Sequence, residues 1–502
     1  DVDHYGPRWA PDSGSLIYYT SGTQPGEPGT IWEISALGGT PHKLVSALGP
    51  GDLSHDGKNL VYFRFLAGTI ELAVAARDGS KGRAIAKLLS TINYCPRWSP
   101  DDRRIAFLRE LGSTDFSNSL FVQELAGGEP QELLGGTHLL QGLAWAPDGS
   151  GLIVSSAQGS TMSYPPTYNL WMVPLGRGTS VQLTFGEISY ESPDVGSDER
   201  LVVSRVRSHS DIWKFPIDGK PADNAKRGIR ITRQTGQVQT VSVSPDETEV
   251  VFLSDSGGHS NVWAARTADG AMRPITREYG RGVVAVPLWS PRGDLVQFLS
   301  SRKSARADVT LWLVKPDGSE PRDLEIAGVW ACWSGDGQWL YYSDSEQGVH
   351  RIRKAPIDGG QPRTVRNDNT VACALASDGS VMYYSTILTQ ATGVYDYEIR
   401  AARPENGSSV AIGKVSGARV PVSAVNFQPF LSGDGKWLAA PLNDGSTSNL
   451  WALSTSDHTW RQLTDFWPRN VVIARRIAWS RDGKHLYASV SDVMRTSSCC
   501  RG

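Results

Sequence analysis

Residues Cys95–Leu108 read C-P-R-W-S-P-D-D-R-R-I-A-F-L, and this stretch decides the fold. Arg97-Trp98-Ser99 ends one short strand. Ser99-Pro100-Asp101-Asp102 is turn chemistry: proline presets φ, aspartate accepts hydrogen bonds from nearby amides, and the last position takes a left-handed backbone. Ile105-Ala106-Phe107-Leu108 is apolar enough to be a buried second strand. The stretch is therefore a β-hairpin anchored by a tryptophan.

The same phrase returns at Trp9, Leu53, Trp145, Val195, Val243, Trp289, Trp333, Leu375, Leu431 and Trp479. Steps between these anchors run from 42 to 56 residues, a period that belongs to propeller blades of strand-sized apolar runs. A second phrase lies between the anchors, as Ile31-Trp32, Leu170-Trp171, Ile212-Trp213, Val262-Trp263, Leu311-Trp312 and Leu450-Trp451. It supplies a third strand, and a short run such as Arg461–Thr464 supplies a fourth. The first anchors Trp9, Trp98, Trp145, Trp289, Trp333 and Trp479, with the second anchors Trp32, Trp171, Trp213, Trp263, Trp312 and Trp451, account for twelve of the 17 tryptophans. One shared packing role between blades explains them better than twelve separate binding roles.

The Trp-Ser-Pro-Asp-Gly hairpin, followed by Leu-Trp and Asp-Gly, resembles the repeat of TolB-type propellers, relatives of WD-repeat blades. The same repeat forms the propellers of prolyl-oligopeptidase-like enzymes. The expected class is all-β, in tandem β-propellers of four-stranded antiparallel blades. Eleven blades exceed one ordinary propeller, so two propellers of about six are expected. The first spans 1–235, with blades one to five and a possible closing strand, and the second spans 236–502, with blades six to eleven. A nested arrangement, one propeller inserted into another, is the less favoured alternative that the repeat leaves open.

Composition narrows the function classes. Lys+Arg 50 against Asp+Glu 52 leaves no dedicated nucleic-acid or membrane-binding surface. No run of about 18 apolar residues offers a membrane span. The chain opens Asp1-Val-Asp-His-Tyr5 without Met, inside what reads as a repeat, so a fragment or processed form is expected. Cys95, Cys332 and Cys373 lie at or beside first-strand positions and read as small buried apolar residues. Cys499 and Cys500 sit in a tail that does not continue blade eleven.

Catalytic motifs are absent from the sequence. There is no Gly-x-Ser-x-Gly elbow, phosphate-binding loop, His-Glu-x-x-His or Cys-x-x-Cys. Nine histidines are scattered. Aspartates recurring at one blade position, such as Asp101 and Asp434, indicate turn chemistry. No catalytic residue, metal or cofactor is expected. Candidate partner contacts are aromatic, arginine and histidine side chains near loops: Tyr164, Tyr168, Arg205, Arg207, His209, Tyr395 and Tyr397. The first two belong to an insertion in blade four, residues 158–169.

The resemblance implies a non-enzymatic module that binds a protein or peptide, with a small ligand also possible. Chains with this repeat often place it as the extracytoplasmic input of a larger signalling or transcription-regulating protein. Two other readings follow from it. One is the propeller gate of a prolyl-oligopeptidase-like hydrolase whose catalytic domain lies outside this chain. The other is a periplasmic TolB-like partner of an envelope complex.

Overall fold

A computed structural model describes residues 4–500, apart from 23–26, 89–92, 111–117, 278–283, 302–308, 389–395, 421–426 and shorter gaps at 159, 161, 163–165, 177, 187, 197–198, 235, 347–348 and 406. Its regular structure is nearly all strand. The strands form nine antiparallel sheets of four and one sheet of five. In the blade built on Trp98 the strands are Asn93–Trp98, Arg104–Glu110, Asn118–Glu124 and Gln131–His138, paired in chain order.

The recurring aspartates are consumed by the turns. Ser99 Oγ donates to Asp101 Oδ1 at 2.5 Å, and the Arg104 amide donates back to Ser99 Oγ at 2.9 Å. The serine–aspartate bond recurs at 2.6 Å in Ser54–Asp56, Ser244–Asp246, Ser432–Asp434 and Ser480–Asp482. A left-handed residue follows, Asp102 at φ 53° and Gly435 at φ 72°, where glycine avoids the Cβ clash.

Each innermost strand ends on its anchor, and three of the anchor indoles bond to the preceding blade. Trp98 Nε1 donates to Asp52 O, Trp145 Nε1 to Arg97 O and Trp479 Nε1 to Phe430 O, at 2.8–3.2 Å. In each case the acceptor immediately precedes the previous blade's anchor. Three residues before the anchor, six innermost strands carry a left-handed residue: Gly6, Cys95, Ser192, Thr240, Val286 and Trp330. The pairing register slips at these points. These are β-bulges, which re-aim side chains toward the axis.

The core is divided among the junctions between blades. From blade six onward every junction has an apolar cluster. These run from Val251 and Phe298 between blades six and seven to Phe215 and Trp479 between ten and eleven. Ile212, Tyr487, Val238 and Phe252 then join blade eleven back to blade six. Blades one to five are joined in sequence by four clusters. Among the described residues no cluster joins blade five to blade one. Trp9 is accordingly 61% exposed, whereas the other five first-anchor tryptophans are buried.

The five-stranded sheet departs from the sequence expectation. Its order is Ser189–Val195, Leu201–Pro216, His485–Cys500, Val471–Trp479, with Ile229–Arg230 on the second strand. Leu201–Pro216 and His485–Cys500 are paired along their whole length, from Leu201 opposite Cys500 to Pro216 opposite His485. Residues 201–206 pair with blade five's innermost strand, while 213–214 pair with Ile229–Arg230. Residues 486–492 pair with blade eleven's innermost strand. Each long strand thus serves two blades.

Several expectations are corrected by this sheet. The Ile212-Trp213 phrase is a third strand, as read, but of blade eleven rather than blade five. The tail Arg495–Cys500 is strand, paired with Leu201–Val206. Residues 207–230 and 493–500 therefore lie across the division drawn at 235, because backbone pairing is decided by tertiary position and not by order along the chain. The segment 220–234 holds a six-residue helix, Pro221–Lys226, and the fourth strand Ile229–Arg230.

A second correction concerns cysteine. Cys332 and Cys373, expected as separate buried residues, form a disulfide between the innermost strands of blades eight and nine. The repeat brings equivalent strands of consecutive blades side by side, so residues 41 apart meet.

Candidate axial site

One residue immediately precedes each anchor at the end of its innermost strand. In blades six to eleven it is Ser242, Leu288, Cys332, Ala374, Phe430 and Ala478; in blades one to five it is Arg8, Asp52, Arg97, Ala144 and Asp194. Four charges thus converge in the first run of blades. Arg8 Nη1 donates to Asp194 Oδ2 at 2.8 Å, and Arg97 Nη2 donates to Asp194 Oδ1. Asp194 of blade five therefore ties together blades one and three. Asp52 Oδ2 accepts from the Trp98 amide at 3.0 Å.

Burial differs sharply within the cluster. The Arg97 side chain is 8% exposed and that of Asp194 is 47% exposed, so the carboxylate forms the mouth of the site and the guanidinium its floor. Burial pushes the Asp194 carboxyl up, but Arg97 and Arg8 outweigh it and hold it below the ordinary carboxylate value. Burial lowers Arg97, and Asp52 and Asp194 more than restore it. Arg97 Nη1 is buried without a partner among the described residues.

Cys95 occupies the bulge of blade three beside these arginines. Burial nevertheless pushes its thiol up, so it is a protonated thiol and not an activated nucleophile. Among the described residues no histidine joins the cluster. Among the described residues no group of three His, Cys, Asp or Glu side chains is placed to hold a metal. The arrangement offers two cations and two anions to a polar ligand.

The residues singled out from sequence are dispersed. Tyr164 and Tyr395 lie outside the described residues. Tyr168 is half-buried, its amide bonded to Ser189 Oγ and its carbonyl accepting from the Tyr190 amide. Tyr397, expected near a loop, is instead fully buried beside Phe427, with ring centroids 5.7 Å apart. The alternation of a strand turns its side chain into the blade nine–ten junction. Arg205, Arg207 and His209 are not in a loop but lie at alternate positions of Leu201–Pro216. His209 contacts Asp211 and Arg230 at 3.0 Å.

The blade-four insertion also has a different role. Met162 is 1% exposed and packs among Val251, Val262, Val284 and Phe298 of blades six and seven. Met162 is thus an internal contact between the two runs of blades.

Arg8, Asp52, Arg97 and Asp194 were not anticipated. Their signal was available, as a charged residue immediately before an anchor, where a strand expected to be buried should be apolar.

Comparison with known proteins agrees with the repeat. No protein-family model matches. The Tol-Pal system protein TolB of Francisella tularensis subsp. mediasiatica is 22% identical over 260 residues, covering 51% of this chain and 56% of that protein. The chain thus spans about half the length of the curated relatives it matches. Among solved structures, a TolB from Agrobacterium tumefaciens superposes with a TM-score of 0.44 at 16% identity, covering 57% of this chain and 99% of that one. TolB from Acinetobacter baumannii gives 0.41 at 12%, covering 66% and 81%. The class defined by repeat and sheets is the β-propeller. Within it, the chain is a TolB-like β-propeller repeat protein.

Proposed function

We propose that the chain is a non-catalytic propeller module that binds a protein or peptide segment over the axial charges of blades one to five. The observation that carries this reading is Asp194, a half-exposed carboxylate held between Arg8 and Arg97. Such a cluster recognises a polar segment by complementary charge and contains no activated nucleophile among the described residues. The Cys332–Cys373 disulfide supports an oxidising, extracytoplasmic compartment. A role as a TolB-like partner in an envelope complex fits both features.

The test compares the wild-type chain with an Arg8→Ala/Asp194→Ala variant as baits for an envelope protein fraction. The expected result is a defined protein retained by the wild type and lost from the variant at unchanged circular dichroism. Identical retention by both would sink the axial assignment.

A further inference from the structure

The bulge position of blades six to eleven holds Thr240, Val286, Trp330, Ala372, Gln428 and Arg476, one from each innermost strand or the segment entering it. All six are buried and make up one layer of equivalent residues. Arg476 spans it. Its Nη2 donates to Ala331 O of blade eight at 3.2 Å and to Gln428 Oε1 of blade ten at 3.1 Å. Gln428 Nε2 in turn donates to Cys373 O at 3.3 Å. The guanidinium carbon lies 5.8 Å from the Phe430 ring centroid.

What the layer lacks is a counter-charge. Arg476 is 1% exposed and makes no ion pair among the described residues. Burial alone pushes its pKa down, to about 9, which leaves it cationic at neutral pH. Arg476 Nε has no partner among the described residues, and neither has Thr240 Oγ1. Thr240 is the equivalent residue of the next blade, and the two innermost strands, Val238–Val243 and Val471–Trp479, pack directly together. A dry cation without a counterion carries a penalty of several kcal/mol, and orphaned buried donors add to it.

We propose that a small monovalent anion, a halide or a formate-sized carboxylate, binds in this layer against Arg476 Nε and Thr240 Oγ1. The anion neutralises the guanidinium and takes up both donors, and it ties blade eleven to blade six where the second run of blades returns on itself. The site is separate from the axial charges of blades one to five, which are already internally balanced.

Two measurements on the full chain test this. Crystals soaked in bromide should show an anomalous peak within hydrogen-bonding reach of Arg476; no peak there, together with no Tm response to formate, overturns the site. The Tm should rise and saturate with sodium chloride, and not with sodium gluconate at equal ionic strength. Arg476→Met and Thr240→Val should abolish or weaken that response. Should Arg476→Met fail to fold, Thr240→Val and the bromide peak still decide. A response to formate but not chloride supports the site and identifies its ligand as a carboxylate. A bromide peak with no anion-dependent Tm means binding at crystal concentration only and also overturns the proposal.

Discussion

Trp213 stands opposite Ala488 in the ladder between the two long strands, so a strand read as belonging to blade five completes blade eleven. The chain crosses from the first run of blades to the second along Leu201–Pro216 and returns along His485–Cys500. Both crossings lie in one sheet, and each strand is a second strand in one blade and a third in the other. The last residues are thereby structural for the first run.

Ending the chain after Asp492 should expose this dependence. Residues 201–206 lose their partners at 495–500, so their amides should lose protection in hydrogen-exchange mass spectrometry. Amides of 238–254 should keep theirs. Unchanged protection of 201–206 would mean that the crossing strands are not paired as described.

The interblade indole bonds make a differential prediction. Trp145 Nε1 satisfies Arg97 O in a buried setting, whereas Trp333 Nε1 is buried without a partner among the described residues. Phe in place of either loses similar volume. Trp145→Phe should therefore cost about 1 kcal/mol more than Trp333→Phe, the net value of a buried hydrogen bond. Urea denaturation of both variants measures the difference.

The disulfide closes a loop with a sequence separation of 41. Chain entropy assigns such a cross-link about 4 kcal/mol. Cys332→Ser should lower stability by an amount of that order, and Cys373→Ser should add little to it. Non-reducing peptide mapping should recover the two cysteines on one linked peptide.

Asp194 makes acid sensitivity local. Its folded pKa lies below its unfolded value, so the stability it contributes is present above the ordinary carboxylate range and lost as pH falls through the folded value. Asp194→Asn should be less stable than the wild type by about 1 kcal/mol at pH 6, a modest figure because the carboxylate is half-exposed. The two should converge only once pH has fallen through the lowered folded value of Asp194. Chemical denaturation across this range reads the difference.

Met162 fastens the blade-four loop to blades six and seven. Met162→Ala should cost about 2–4 kcal/mol, the usual range for emptying a buried site of this size. Protection should be lost in 251–264 on the far side of the contact. A change confined to blade four would contradict the packing.

Much of the architecture was legible because blades are local. The hairpin phrase of Cys95–Leu108 carries its own turn chemistry, strand alternation and anchor, so sheet type and the order of strands within most blades follow from short-range preferences alone. The aspartates of the turns could likewise be assigned without coordinates, since serine and aspartate two residues apart satisfy one another.

The site was less legible, since it is made by residues that meet only at the axis. Arg8, Arg97 and Asp194 lie in three blades; each looks like an ordinary charged residue until the innermost strands converge. Arg476 and Thr240 come together for the same reason. Sequence by itself determined the repeat, the strand chemistry and the lack of a catalytic motif. Only the tertiary structure decided that two strands are shared between blades, that Cys332 finds Cys373, and which charges share an axis. Hydrogen bonding within a hairpin is set by neighbours in the chain, whereas pairing across the molecule is set by where the packed blades leave an open strand edge.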